Sequence, residues 1–148
     1  MKVLLLCESG PLGLKVLYCL KGVGASVQSA GPRGARMLKY SRYTDGHSEI
    51  QFWHDGVPST RTQQLLREKV ETEGFEIVVP SDMGSAAFLA ATKKVYPDFP
   101  CFPCSDQATL DILHNKWSFA QVCAKYELPV PPTALLECPD QLDTDILD

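Results

Sequence analysis

Glycine and polar residues follow three apolar segments of the chain, at positions where they could bind a small anion. Glu8-Ser9-Gly10 comes directly after the first segment, Arg33 follows the second, and Ser81-Asp82 follows the third. Gly10 and Gly13 begin a helical pattern, whose free backbone N–H groups could bind a phosphate or a carboxylate. The alternative is a tight turn in which Glu8 is solvated or caps the helix. A dinucleotide fingerprint is excluded, because it needs a third glycine and an acidic residue after the second strand.

Four basic residues fall within ten positions with no acidic residue among them: Arg33, Arg36, Lys39 and Arg42. Their spacing distributes the charges around a helix, which favours a solvated surface. The alternative is that Arg33 binds an anion.

Two cysteines form a C-x-x-C motif, Cys101-Phe102-Pro103-Cys104, just before a predicted helix. The motif resembles the redox site of thioredoxins, but it lies on the fifth predicted strand rather than after the first. No second C-x-x-C is present to complete a zinc site. Buried thiols are the favoured interpretation and redox activity is the alternative. The histidines at positions 47, 54 and 114 are scattered and do not predict a metal site.

Strand and helix patterns alternate along most of the chain, as expected for units in which a helix connects two parallel strands. They predict an α/β fold with an open, mostly parallel sheet of about four to five strands and helices on both faces. The predicted strands are 2–7, 25–30, 49–53, 75–79, 99–104 and 134–136. The predicted helices are 12–22, 59–74, 86–91, one after Ser105, 116–126 and 139–147, with a short helical turn at most over 33–40.

Composition and charge argue against nucleic-acid binding and against a membrane-spanning protein. The chain has 148 residues, 45% of them apolar, and a net charge of −4. Residues 75–148 contain four basic and eleven acidic groups, which argues against a nucleic-acid partner because such partners need a broad basic surface. No apolar stretch is long enough to span a membrane, and no signal peptide is evident, so we expect a cytoplasmic protein with reduced thiols.

The segment from Leu110 to Ala120, which contains Asn115-Lys116, is followed by a proline-rich turn from Tyr126 to Thr133. Together they resemble the junction that opens the ATP-grasp domain, although Asn115 stands where that family usually has Asp. Ahead of this junction, residues 1–112 are similar in layout to the Rossmann-like pre-ATP-grasp domain of carbamoyl phosphate synthetase, biotin carboxylase and the carboxylate–amine ligases. Residues 113–148 are then expected to be the truncated beginning of an ATP-grasp domain.

The resemblance implies a ligase that uses ATP and Mg²⁺ to activate a small carboxylate as an acylphosphate, which an amine or similar nucleophile then attacks. It implies that Lys116 reaches the nucleotide phosphates. The residues that it places facing the carboxylate are Glu8, Ser9, Gly10, Arg33, Ser81 and Asp82. The family's other ATP and Mg²⁺ ligands would lie beyond this segment, so we expect no catalysis by the chain alone. A homodimer is compatible with this interpretation.

Two other functions stay open. The first is a free-standing Rossmann-like module that binds a nucleotide or a small acidic metabolite without chemistry. The second is a thiol oxidoreductase that uses Cys101 and Cys104.

Overall fold

A parallel four-stranded sheet forms the centre of the protein. In the computed structural model, which describes residues 1–136, the sheet has the order β3-β2-β1-β6. Its strands are β1 (Lys2–Leu6), β2 (Ser26–Gly31), β3 (Gly46–Glu49) and β6 (Ile77–Pro80), and all neighbouring pairs are parallel. The chain first adds strands on one side of β1 and then crosses to the other side to form β6. The predicted α/β class with an open parallel sheet is confirmed.

The apolar run of β1 is buried on both faces, which explains why it shows no alternation of polar and apolar residues. Leu4 and Leu6 pack on one face, against residues of the helices α2 (Thr60–Glu73) and α3 (Met83–Val95). Val3, Leu5 and Cys7 pack on the other, against residues of α1 (Gly10–Gly22) and of a 3-10 helix (Arg33–Tyr40). The sheet therefore separates two apolar layers and holds its loops at a fixed edge.

Local signals define the ends of the helices. Ser59 caps α2 by accepting a hydrogen bond from the Thr62 N–H, and Gly74 ends it in the left-handed conformation that glycine favours. Asp82 caps α3 and forms a capping box with Ser85.

Smaller elements flank the sheet. The strands β4 (Trp53–His54) and β5 (Val57–Pro58) form a hairpin whose two turn residues, Asp55 and Gly56, both have positive φ, as in a type I′ turn. On the outer side of β6, Cys101 forms a single parallel bridge with Val78. The edge strand predicted over 99–104 is therefore reduced to one bridge.

By its internal contacts the chain divides into two compact units, Met1–Gln107 and Ala108–Asp148. The helices α4 (Gln107–His114) and α5 (Lys116–Lys125) follow the sheet in the chain. The strand predicted over 134–136 is wrong, because these residues form no strand and follow two prolines that cannot donate ladder hydrogen bonds. The helix predicted over 139–147 lies outside the described residues. None of the helices within residues 1–136 is long and apolar enough to cross a membrane.

Candidate ligand site at the carboxyl edge of the sheet

The loops after β1 and β6 are joined by one carboxylate. Asp82 accepts hydrogen bonds through Oδ2 from the backbone N–H groups of Glu8, at 2.8 Å, and Ser9, at 3.1 Å. Its Oδ1 accepts from the backbone N–H of Ser85 at 3.0 Å and from the Ser85 hydroxyl at 2.8 Å. β6 joins β1 on the side opposite to β2, so these loops meet where the strand order reverses. Open α/β sheets bind their ligands at this position.

The loop after β2 packs against the same loop from the other side. A methyl group added at Gly31 would overlap the Cys7 carbonyl oxygen, and one added at Gly34 would lie 2.8 Å from the Glu8 carbonyl oxygen. One added at Gly10 would lie 2.5 Å from the Met37 side chain. These glycines permit close packing of the loops after β1 and β2. The predicted contact between Gly10 and a substrate stays a prediction.

The carboxylate of Asp82 accepts hydrogen bonds from the protein on both of its oxygens. Partial burial acts to raise its pKa, but the hydrogen bonds from Ser85, Ser9 and Glu8 outweigh this effect and hold the pKa below its ordinary range. Ser81 also donates its hydroxyl to Oδ2 at 3.2 Å. Because the accepting positions of the carboxylate are used in this way, the geometry gives Asp82 the role of a positioning residue that fixes the first loop.

Glu8 supplies the second carboxylate at this edge of the sheet, and it is the candidate for contact with a ligand. Its Oε1 accepts a hydrogen bond of 2.6 Å from the Trp53 indole N–H, and its Oε2 lies against Gly84, where a methyl group would overlap it. Burial raises the pKa of Glu8, and the nearby Asp82 charge raises it further, whereas the Trp53 hydrogen bond lowers it. The carboxylates of Glu8 and Asp82 therefore lie near each other beside the ends of β1 and β6. The sequence did not predict Trp53, because 45 residues separate it from Glu8.

The other predicted substrate residues lie at the same edge with different exposure. Ser9 is half-buried and is the N-cap residue of α1, but its side chain makes no capping hydrogen bond. Ser81 is half-buried beside Asp82. Arg33 begins the 3-10 helix, is exposed, and has no hydrogen bond or ion pair within residues 1–136. The edge thus presents an anionic group at β1 and a cationic side chain after β2.

Lys116 lies in the second unit and is described separately. It is the first residue of α5, is exposed, and follows Asn115, whose Oδ1 accepts a hydrogen bond of 3.0 Å from the Ser118 N–H. Asparagine therefore serves as an N-cap at the position where the ATP-grasp junction usually has aspartate. Within the same unit, α5 and residues 130–133 border a cavity of about 300 Å³. The role of Lys116 toward a nucleotide stays a prediction.

Several solved structures that share this fold belong to proteins much longer than this chain. L-amino acid ligase from Bacillus licheniformis matches with a TM-score of 0.65 and 12% identity over 88% of this chain and 31% of its own. The chain has the fold of the N-terminal part of ATP-grasp ligases. The resemblance predicted from residues 110–133 and from the layout of the sheet is confirmed at the level of this pre-ATP-grasp fold.

Two further structures with the pre-ATP-grasp fold extend the comparison. N5-carboxyaminoimidazole ribonucleotide synthetase from Thermotoga maritima matches with a TM-score of 0.53 and 20% identity, over 99% of this chain and 36% of its own. The biotin carboxylase domain of Hydrogenobacter thermophilus 2-oxoglutarate carboxylase, solved with MgADP and bicarbonate, matches with a TM-score of 0.55 and 12% identity, over 89% and 29%. This chain spans about a third of the length of these proteins. No protein-family model and no curated protein sequence matches it.

The pre-ATP-grasp fold of this chain does not by itself supply a magnesium site. Within residues 1–136, no group of three histidine, cysteine, aspartate or glutamate side chains is placed to hold a metal ion. Glu8 and Asp82 approach each other, but the Asp82 oxygens already accept backbone hydrogen bonds. The described residues therefore do not fit Mg²⁺, and we assign the ion no step in this part of the chain.

The two thiols of the C-x-x-C motif are poorly suited to redox chemistry. Both are partly buried, and burial raises the pKa of Cys101 and of Cys104. The charge of Lys93 lowers the pKa of Cys101, but by less than burial raises it. Because the thiolate is the reactive form, a raised pKa favours a structural role for these cysteines in the pre-ATP-grasp fold.

Trp53 should report the protonation of Glu8. In the Trp117→Phe variant Trp53 is the sole tryptophan, and we expect its emission to change with a midpoint above the usual pKa of a glutamate, because burial raises the Glu8 pKa. The measurement is a fluorescence titration from acid to neutral pH. Glu8→Gln should remove the transition, whereas Glu68→Gln, on the exposed side of α2, should leave it unchanged. A transition that survives Glu8→Gln would contradict the assignment.

Proposed function

We propose that this chain is the substrate-side N-terminal part of an ATP-dependent ligase that activates a small carboxylate. The observation that carries the proposal is the meeting of three strand-end loops at one edge of the sheet, where the half-buried Glu8 carboxylate lies, in a fold shared with ligases and carboxylases. A site at the strand reversal of an open sheet is the standard position for a small ligand.

The proposed reaction begins with transfer of the ATP γ-phosphoryl group to the carboxylate, which gives an acylphosphate and ADP. An amine then attacks the acyl carbon, and inorganic phosphate leaves. Lys116 is proposed to bind the nucleotide phosphates, since a lysine is a suitable point charge for them. In such a reaction Mg²⁺ would offset the phosphate charge, and none of the described residues is assigned to hold it.

The charges at the edge of the sheet favour a substrate with both an amino group and a carboxylate. Glu8 places a negative charge at the end of β1, and the exposed Arg33 lies one residue from Gly34, which packs on the Glu8 backbone. A bare dicarboxylate would be repelled by Glu8 and Asp82, since like charges at short range are unfavourable. The similar protein from Bacillus licheniformis is named an L-amino acid ligase. We therefore propose an amino acid as the substrate, with its ammonium group on Glu8.

The proposal is tested by ADP release from the polypeptide in which this chain is joined to an ATP-grasp domain. Individual L-amino acids should stimulate ADP release, and succinate should not. Glu8→Gln should raise the KM for the amino acid by about tenfold or more, because it removes a charge-assisted hydrogen bond, and leave the KM for ATP unchanged. Glu68→Gln is the matched control.

The possible results separate the parts of this proposal. ADP release that no carboxylate stimulates would refute the ligase function. Amino-acid binding without any ATP turnover would favour the free-standing binding module instead. Stimulation that Glu8→Gln leaves unchanged would retain the ligase and reject the assigned role of Glu8.

A further inference from the structure

The 3-10 helix arranges its residues in three rows. A 3-10 helix has three residues per turn, so side chains three positions apart are aligned. Over Arg33–Tyr40 the burial follows this period, because Ala35 and Leu38 are fully buried and the other six residues are exposed. One exposed row contains Arg33, Arg36 and Lys39, and the other contains Gly34, Met37 and Tyr40. We call the first of these the basic row.

The charges of the basic row are weakly paired compared with several other cations of the same unit. Within residues 1–136, the one ion pair of the row joins Arg36 Nε to Glu49 Oε2 at 3.9 Å, between two side chains that are more than half exposed. By contrast, Lys21 contacts Asp45 at 3.1 Å and Arg67 contacts Glu71 at 2.8 Å. The basic row is therefore free to interact with a partner.

An aromatic groove lies on the other side of the same helix. A cavity of about 370 Å³ is bordered by α1 and the 3-10 helix, and its lining includes Tyr18, Met37, Tyr40 and Tyr43. Tyr40 is 79% exposed, and Tyr18 and Met37 are each 49% exposed. Tyr43 is held in place by an edge-to-face contact with Tyr18 and by the Arg42 guanidinium, 4.8 Å from its ring centre. Aromatic, methionine and arginine side chains are enriched at the centres of protein interfaces.

We infer that the basic row and the aromatic groove together form a docking surface for an extended acidic segment of another protein. The row rises about 6 Å per turn of 3-10 helix. In an extended chain, alternate side chains on one face are about 6.7 Å apart, so carboxylates at every second position can follow the row. An aromatic or aliphatic side chain beside them would enter the groove. This surface shares Arg33 with the candidate ligand site, but Arg36, Lys39 and Tyr40 lie outside that site, and the inference does not depend on the proposed ligase function.

The alternative partner, a nucleic acid, is disfavoured by the charges. The chain has a net charge of −4, and a row of three cations is much smaller than the basic surface that a nucleic acid needs.

A designed peptide tests the inference directly. The probe is the fluorescein-labelled peptide Phe-Thr-Glu-Val-Glu-Thr-Glu. Two ligands are compared with it: a neutral peptide in which Gln replaces each Glu, and a single-stranded dT oligonucleotide. We expect the acidic peptide to bind the unmodified chain with a Kd below about 1 mM, in a salt-dependent manner. The Arg36→Glu/Lys39→Glu variant should weaken binding by about tenfold or more, because it reverses two adjacent charges. Tyr40→Ala should weaken it several-fold without changing its salt dependence.

The control reverses two charges elsewhere in the same unit. Arg61→Glu/Lys94→Glu changes the net charge equally at exposed positions of α2 and α3, and we expect it to leave binding within about twofold, since distant surface charges are screened. Circular dichroism establishes that each variant is folded. The inference is overturned if the peptide does not bind, if the neutral peptide or the oligonucleotide binds as tightly, or if the control loses as much affinity as the basic-row variant.

Discussion

Gly31→Ala is expected to lower the free energy of unfolding by about 3 kcal/mol, within the range that overpacking costs in a rigid core. Gly31 is the last residue of β2, and an added methyl group would overlap the Cys7 carbonyl oxygen and lie 2.9 Å from the Ala35 Cβ atom. The Cys7 backbone cannot easily move away, because its N–H donates to the Ala30 carbonyl at 3.0 Å. The strain must instead separate β1 from the loop after β2.

The matched control for this prediction is Gly22→Ala. Gly22 is the last residue of α1 and has no atom within 4 Å of an added methyl group. The change should stabilise the protein by a few tenths of a kcal/mol, because alanine loses less conformational entropy on folding. Urea unfolding, followed by circular dichroism, measures both variants. Equal stability of the two variants would contradict the close approach of the loops.

The strands β1 and β6 could be predicted because their burial is visible in composition. β1 and β6 are apolar runs without alternation, as expected of strands covered on both faces. β3 contains Gly46, His47, Ser48 and Glu49 and carries no such signal, since it is the last strand on its side of the sheet. The prediction placed this strand at 49–53, which overlaps β3 only at Glu49. Polar edge strands are recognised by their pairing with a neighbour, which a single sequence does not reveal.

The basic row shows how helix type changes the meaning of a spacing. On an α-helix, each step of three residues shifts the side chain by about 60° around the axis, so Arg33, Arg36, Lys39 and Arg42 would drift around it, and the sequence favoured a solvated surface. The segment is a 3-10 helix of eight residues, in which the same spacing aligns the charges. Ala35 and Leu38, three positions apart, are both buried in the apolar layer beside β1, and such tertiary packing is not visible in local helix propensity.

The sequence could indicate where to look for a site, but not the separate roles of the two carboxylates within it. Loops at the carboxyl edge of a parallel sheet are natural ligand sites, and this rule directed the sequence analysis to the loops that contain Glu8 and Asp82. Their different roles depend on Ser85 and Trp53, which hydrogen-bond to Asp82 and Glu8 respectively. Trp53 is remote in sequence from Glu8, and Ser85 gave no pattern that distinguished it from other helix residues.

Asp82→Ala is expected to lower the free energy of unfolding by about 2 to 4 kcal/mol. Loss of the α3 cap accounts for about 1 kcal/mol. The remainder comes from the backbone N–H groups of Glu8 and Ser9, which would lose their acceptor in a partly buried loop, at roughly 1 kcal/mol each. Urea unfolding at neutral pH gives the value.

Ser59→Ala is the control that separates capping from loop fixation, because Ser59 caps α2 and holds no second loop at the sheet edge. We expect it to cost about 1 kcal/mol. The two variants should also differ in pH dependence. The lowered Asp82 pKa contributes stability above the ordinary aspartate pKa, which is lost as pH falls through the folded-state value. The deficit of Asp82→Ala should therefore shrink in acid, whereas that of Ser59→Ala should stay constant. A neutral-pH deficit for Asp82→Ala no larger than that of Ser59→Ala would show that Asp82 only caps its helix and does not fix the Glu8 loop.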